Sequence, residues 1–162
     1  MGLHANLNGA AALVTGASSG LGRHFAQTLA RAGARVALAA RRRELLEAVA
    51  ADIRAAGGEA VTITADITSA DAVAGMFAEA AAALGPVSIV VNNAGIARPA
   101  PALELDEASW DAVVDTNLRG AWLVAQQAAR HMVAAGRGQL FGEVTGRKGR
   151  PGLLFDWSTI SP

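Results

Sequence analysis

Residues 12–22 read Ala12-Leu13-Val14-Thr15-Gly16-Ala17-Ser18-Ser19-Gly20-Leu21-Gly22, an apolar run that breaks into three spaced glycines and continues as a helical stretch. A short apolar run bounded by glycine reads as a buried strand. Each glycine after it has a separate use. Gly16 permits a tight turn off the strand, Gly20 leaves bare backbone that a pyrophosphate can approach, and Gly22 lets the helix pack closely. The first turn of the following helix offers unpaired N–H groups and a positive dipole end to an anion. The spacing is G-x-x-x-G-x-G. A structural turn with no ligand is the competing reading, and the strand before and amphipathic helix after argue against it.

Outward from this turn, apolar runs alternate with helical periods. Ala10–Thr15, Arg35–Ala40, Ala60–Thr64 and Val87–Asn92 read as strands. Leu21, Phe25 and Leu29 recur every four residues, as do Leu45, Val49 and Ile53, and Val73, Phe77, Ala81 and Leu84 form a third stripe. Gly33 and Gly57-Gly58 mark helix ends, and Ser69 is placed to cap the third helix. A loop through Gly95, Pro99 and Pro101 then leads into helix from near Asp106 to about Ala135. Trp110, Val113, Val114, Leu118, Trp122 and Leu123 supply its apolar side, the two tryptophans as core or helix-interface anchors, with a bend at residues 117–120. Gly138–Val144 reads as a fifth strand interrupted by Glu143 and two glycines. Continuous apolar strands alternating with helices define a parallel sheet covered on both faces, with right-handed crossovers.

The chain has 162 residues, which fits one domain with a sizeable core. Its 52% hydrophobic and 17% charged content speaks against disorder. Fourteen basic side chains balance fourteen acidic ones, so bulk charge points to neither nucleic acid nor an anionic membrane. The small cluster Arg147-Lys148-Gly149-Arg150 is too narrow for a nucleic-acid surface. With no cysteine and only the scattered His4, His24 and His131, no metal site is expected. No apolar run is long enough to span a membrane, and Met1–Gly9 lacks the pattern of a signal peptide, so the expected compartment is the cytoplasm.

Four motifs in order carry a specific resemblance. Thr15–Gly22 matches a TGxxxGxG signature, Asn92-Asn93-Ala94-Gly95 an NNAG motif after the fourth strand, Ala65-Asp66-Ile67 an acidic position after the third, and Asp115-Thr116-Asn117 an asparagine-bearing helical segment. Together they resemble the classical short-chain dehydrogenase/reductase family from Ala10 to about Gly138. The resemblance implies a Rossmann-type doubly wound parallel sheet, here truncated after about five strands. It also implies a nicotinamide cofactor and hydride transfer between alcohols and carbonyls. The implied cofactor contacts are Thr15, Gly16, Ser18, Ser19, Gly20, Leu21, Gly22, Asp66, Ile67, Asn93, Ala94 and Gly95, with Gly16, Gly20 and Gly22 cradling the pyrophosphate and Asp66 and Asn93 lining the adenine side, and Asn117 is the implied catalytic-site asparagine. Asn117 read simply as a helix-bend residue fits the same position.

The second strand ends in Ala39-Ala40-Arg41-Arg42-Arg43, with no acid before Glu44. A carboxylate there would hold ribose hydroxyls and repel a 2′-phosphate, whereas arginine binds that phosphate bidentately. NADP is therefore expected over NAD, with Arg41 the first candidate and Arg42 the second. A solvated basic helix start is the competing reading of the same run.

Beyond Gly138 the resemblance weakens. The family's catalysis uses a tyrosine whose pKa is lowered by a lysine four residues on, with a serine holding the carbonyl. Thr145 or Glu143 falls at the serine position, and Trp157 stands about where the tyrosine belongs; Lys148, the only lysine, lies upstream of it. No tyrosine occurs in the sequence. An indole donates a hydrogen bond but does not work as an acid–base near neutrality. The expectation is a dinucleotide-binding domain over 1–138, followed by a degenerate or truncated tail over 139–162. Hydride transfer is expected to be impaired. A non-catalytic NADP-binding or interaction module and an unstable fragment are the alternatives. The fifth strand is expected at a sheet edge, and the 106–135 helices are a candidate surface for a homo-oligomer. An alcohol or carbonyl is the implied substrate class.

Overall fold

The computed structural model describes residues 6–144 and 153–154. Strands β1 (Ala11–Thr15), β2 (Arg35–Ala40), β3 (Ala60–Thr64), β4 (Val87–Asn92), β5 (Gln139–Val144) and the two-residue β6 (Leu153–Leu154) form one sheet in the order β3-β2-β1-β4-β5-β6. The first five strands are parallel: β1 pairs with β2 and β4, β2 with β3, and β4 with β5. Helices α1 (Gly20–Arg31), α2 (Arg43–Ala55), α3 (Ala70–Leu84), α4 (Glu107–Val114) and α5 (Ala121–Ala135) make the crossovers. This is the α/β, doubly wound Rossmann-type arrangement expected from the alternation of strands and helices. The strand order reverses between β1 and β4, whose carboxyl ends carry Thr15 and Asn92. Doubly wound sheets bind ligands in the crevice at such a reversal.

One expectation about the sheet needs correction. β5 is not a bare edge throughout, because Glu143 and Val144 pair antiparallel with Leu154 and Leu153. Edge backbone groups left unpaired are costly or reactive, and even a two-residue strand satisfies some of them.

Alternation along β1 explains the core. Ala11 and Leu13 point to one face and Ala12 and Val14 to the other, all essentially without solvent contact. One apolar cluster joins α3 and α5 to the sheet through Met76, Phe77, Leu84, Val124 and Met132. The other joins α1 and α2 through Ala26, Leu46, Val49 and Ile53. Ser69 caps α3 as expected, its Oγ accepting from the N–H of Ala72 at 3.3 Å. Asp106 caps α4, accepting from Ser109 N at 2.7 Å.

The apolar stripes differ from the sequence reading in three places. In α1 the buried residues are Gly22 and Ala26, while Leu21 is 65% and Phe25 37% exposed. The helix lies close to the sheet on small residues, which turns the larger ones outward. In α2, Leu46 is buried and Leu45 is exposed. Trp110, Leu118 and Trp122 are also exposed, so the tryptophans do not anchor the core of the chain; Ala121, Val124, Ala128 and Met132 do. The expected bend at 117–120 is a π-helical segment, Asp115–Gly120, that joins α4 to α5 with right-handed helical backbone at both junctions. Such segments insert an extra residue per turn and recur at functional sites.

Candidate cofactor site

The glycine turn sits at the carboxyl end of β1, and its glycines are required for different reasons. Gly16 has φ +67°, and a methyl there would lie 2.8 Å from Ala94 Cα. A methyl on Gly22 would overlap the carbonyl of Gly16 and come within 2.6 Å of Asn93 Nδ2. Helix α1 thus packs against the turn itself, a tighter fit than strand packing alone. Gly20 has φ +55° with nothing within 4 Å of a built methyl. Its backbone conformation favours glycine, and the space above it is open.

Thr15 joins this turn to β4. Its buried hydroxyl accepts from Asn93 N at 3.0 Å and Ala94 N at 3.1 Å. The Asn93 side chain donates to the carbonyl of Thr15 at 3.1 Å, which commits its amide nitrogen to the floor of the turn. The neighbouring Asn92, 7% exposed, donates to the carbonyl of Ala121 at 2.8 Å. The asparagine pair therefore links β4 both to the turn and to α5.

Ser19 is the N-cap residue of α1, yet its hydroxyl makes no capping bond. Instead the Arg42 guanidinium donates to Ser18 Oγ and Ser19 Oγ, each at 3.4 Å. Arg42 is thus the arginine that reaches across to the glycine turn. Arg41 lies near enough to Asp66 for its charge to be felt there. Asp66, half-buried after β3, accepts through Oδ1 from Thr68 N at 3.0 Å and Thr68 Oγ1 at 2.8 Å. The Thr68 N–H holds the carboxyl below its usual range; burial opposes this, and the Thr68 hydroxyl and the charge of Arg41 reinforce it. Ile67 is buried beside Asp66.

Asn117 lies within the π-helical segment. Its Oδ1 accepts from Ile96 N and its Nδ2 donates to the Ile96 carbonyl, both at 2.8 Å. A methyl on Gly95 would meet Asn117 Oδ1 at 3.2 Å, so glycine there makes room for this clasp. The Asn117 side chain is therefore engaged with backbone, and Ile96 is a partner that sequence reading missed. The D-x-T spacing of Asp66 and Thr68 was a legible turn signal. Arg119, which donates to the Thr68 carbonyl, had no such signal, since the two are 51 residues apart. Thr145, the candidate for the serine role, lies outside the described residues, as do Lys148 and Trp157; the side chain of Glu143 does also.

The donor set fits a dinucleotide. An open glycine backbone and the unpaired N–H groups of a helix start face one end of the crevice. The Ser18 and Ser19 hydroxyls, bridged by Arg42, stand beside them, and Arg41 lies near Asp66. No group of three or more His, Cys, Asp or Glu residues among the described residues could hold a metal ion.

Fold and turn together define a Rossmann-type nucleotide-binding unit. The chain belongs to the short-chain dehydrogenases, whose family model matches residues 10–146. It is 41% identical over 150 residues to gluconate 5-dehydrogenase of Gluconobacter oxydans (strain 621H), covering 91% of this chain and 59% of that protein. It is 40% identical to the 3-oxoacyl-[acyl-carrier-protein] reductase FabG of Staphylococcus aureus (strain Mu50 / ATCC 700699), covering 87% of this chain and 58% of that protein. The crystal structure of a short-chain type dehydrogenase/reductase from Mycobacterium marinum superposes with a TM-score of 0.83 at 41% identity, covering 85% of this chain and 56% of that one. A metagenomic short-chain oxidoreductase in complex with NADP superposes at 0.82 with 39% identity, covering 90% of this chain and 66% of that one. The chain thus spans about three fifths of the length of the curated relatives it matches. No helix among the described residues is long and apolar enough to cross a membrane.

Proposed function

We propose that this chain is the cofactor-binding portion of an NADP-preferring oxidoreductase acting between alcohols and carbonyls. The observation that carries the reading is the bridge from Arg42 to Ser18 and Ser19 beside the open backbone of Gly20. Two hydroxyls after β1 and a guanidinium after β2, with no acid between β2 and Glu44, suit a 2′-phosphate and disfavour a bare ribose. Arg42 takes the leading part, Arg41 the second. The turn from Gly16 to Gly22 holds the pyrophosphate against the start of α1. Asp66 and Ile67 flank the adenine, and Thr15 and Asn93 keep the turn in shape from below. Ala94 and Gly95 line the crevice above β4. When bound, the nicotinamide ring would supply or accept the hydride. The Asn117 side chain acts by clasping Ile96, which fixes the π-helical segment and the orientation of its backbone carbonyls.

A second reading concerns turnover. The sequence contains no tyrosine, and tryptophan at the matching place cannot act as the proton donor. On this reading the chain binds dinucleotide without reducing a carbonyl. The exposed Trp110, Leu118 and Trp122 then suit contact with a second copy of the chain through the 106–135 helices.

The test is a thermal melt of the purified chain alone, with NADPH and with NADH, followed by an NADPH-oxidation assay with simple ketones. A ligand that binds only the folded state raises the midpoint by an amount set by its concentration over Kd. A larger rise with NADPH supports the cofactor reading, and no rise with either overturns it. Carbonyl reduction at ordinary enzyme rates overturns the reading without turnover.

A further inference from the structure

Arg119 lies two residues beyond Asn117, next to last in the same π-helical segment (residues 115–120). Its Nη1 donates to the carbonyl of Thr68 at 2.7 Å, across 51 residues of sequence. Thr68 is itself gripped by Asp66 through two hydrogen bonds, at 3.0 and 2.8 Å. A second contact runs alongside. Ile67 is 6% exposed, and a methyl on Gly120 would stand 2.9 Å from its Cδ1 and Cγ1. The absence of a side chain at Gly120 is what lets Ile67 fill that space.

The loop after β3 is thus tied to the π-helical segment at two points, one polar and one apolar. The segment is tied at its other side to the loop after β4, through the clasp of Asn117 on Ile96. Three pieces of chain remote in sequence form a continuous bridge from Asp66 to Ile96. A π-helical turn is less stable than the α-helical one it interrupts, so its shape depends on such ties. An exposed arginine with no partner would be a solvated side chain of little consequence. Here the guanidinium makes a short, charge-assisted bond to a backbone carbonyl in the loop that carries Asp66 and Ile67.

We propose that Arg119 is a positioning residue that couples occupancy of the Asp66–Thr68 loop by an adenine nucleotide to the setting of Asn117. The proposal rests on the placement of adenine beside Asp66 and Ile67 made above. Ordering of that loop by a nucleotide would tighten the bond from Arg119 and stiffen the segment holding Asn117. By linkage, whatever fixes Asn117 would in turn favour nucleotide binding.

The experiment uses the whole chain, labelled with nitrogen-15, and 5′-AMP as probe. AMP has no nicotinamide, and comparison with Arg119→Ala separates a response at Asn117 carried by the Asp66–Thr68 loop from one carried by Gly95, which lies against Asn117. The expected result is a shift of the backbone amides of Ile67 and Thr68 together with the Asn117 side-chain amide. In Arg119→Ala the loop amides still shift and the Asn117 response is lost. Arg119→Lys restores part of it, because an ammonium can donate to the same carbonyl. A full Asn117 response in Arg119→Ala overturns the inference. So does loop binding with no Asn117 response in the unaltered chain, a result that needs no variant to fold. AMP shifting neither site overturns the adenine placement and the inference with it, whereas loop shifts alone leave that placement standing.

Discussion

Thr15 and Asn93 hold each other twice: the Thr15 hydroxyl accepts from Asn93 N at 3.0 Å, and Asn93 Nδ2 donates to the Thr15 carbonyl at 3.1 Å. The pair closes the switch point between β1 and β4 directly beneath the glycine turn. Replacing Thr15 by valine keeps the shape but removes the acceptor of two N–H groups. The expected loss is about 2 kcal/mol of stability, since each buried donor left unsatisfied costs roughly 1–3 kcal/mol. Thr15→Ser keeps the hydroxyl and should lose less. Urea denaturation of both variants measures the difference, and a Thr15→Val chain as stable as the unaltered one would show that the hydroxyl does not matter.

Gly20 and Gly22 should part company when changed to alanine. Gly22→Ala forces a methyl onto the Gly16 carbonyl, backbone that has no easy retreat, and should cost about 3 kcal/mol. Gly20→Ala meets no neighbour and carries only the cost of its positive φ, about 1 kcal/mol. Its larger effect should fall on dinucleotide binding. A melt combined with NADPH titration separates the two. A Gly20→Ala chain that binds NADPH normally would mean that the ligand does not approach that backbone.

Arg42→Ala should weaken NADPH by about 10- to 100-fold, because a hydrogen bond to a charged group contributes roughly 1.5–3 kcal/mol. NADH affinity should hardly change, since NADH lacks the phosphate. Arg41→Ala should have the smaller effect. Calorimetric titration of both cofactors decides, and equal weakening of NADH would mean that Arg42 supports the turn and does not read the phosphate.

Asp66 has a depressed pKa in the folded chain, so its contribution to stability is present above the unfolded carboxylate value of about 4 and is lost as pH falls through the folded value. Asp66→Asn lacks this dependence. The stability difference between the two proteins should therefore be constant near neutrality and shrink in acid. Denaturation midpoints measured from pH 7 to about pH 3 check the sign. A difference that grows in acid would contradict it.

Trp122→Glu should reduce self-association, if the exposed side of α5 is where copies meet. Trp122 is 56% exposed and Leu118, one helical step before it, 57%. Sedimentation velocity at several concentrations reads the outcome. An unaltered chain that stays monomeric throughout would remove this surface from consideration.

Much of the architecture was legible because strand and helix periods are local properties. The boundaries of β2, β3 and β4 follow directly from apolar runs that each begin just after a glycine, and Ser69 from its place before a helical stripe. The helix faces were less legible. Leu21 and Phe25 have the right period but the wrong side, because the distance between α1 and the sheet is set by Gly22 and Ala26. The partners of polar side chains were not legible at all. Nothing local to Arg42 says that it reaches Ser18 and Ser19, and nothing local to Asn117 says that it clasps Ile96.

The sequence by itself determined the alternation of strand and helix, the glycine turn at the end of β1 and the cluster of arginines after β2. These depend on residue type and spacing over a few positions, where backbone freedom, burial and charge act locally. The tertiary structure alone decided which arginine faces the turn, that Asn93 and Asn117 are engaged with backbone, and that residues 115–120 form a π-helical segment. Those outcomes depend on contacts between segments that the pairing of β1 with β2 on one side and β4 on the other brings together, and pairing across such separations leaves no periodic trace in the chain.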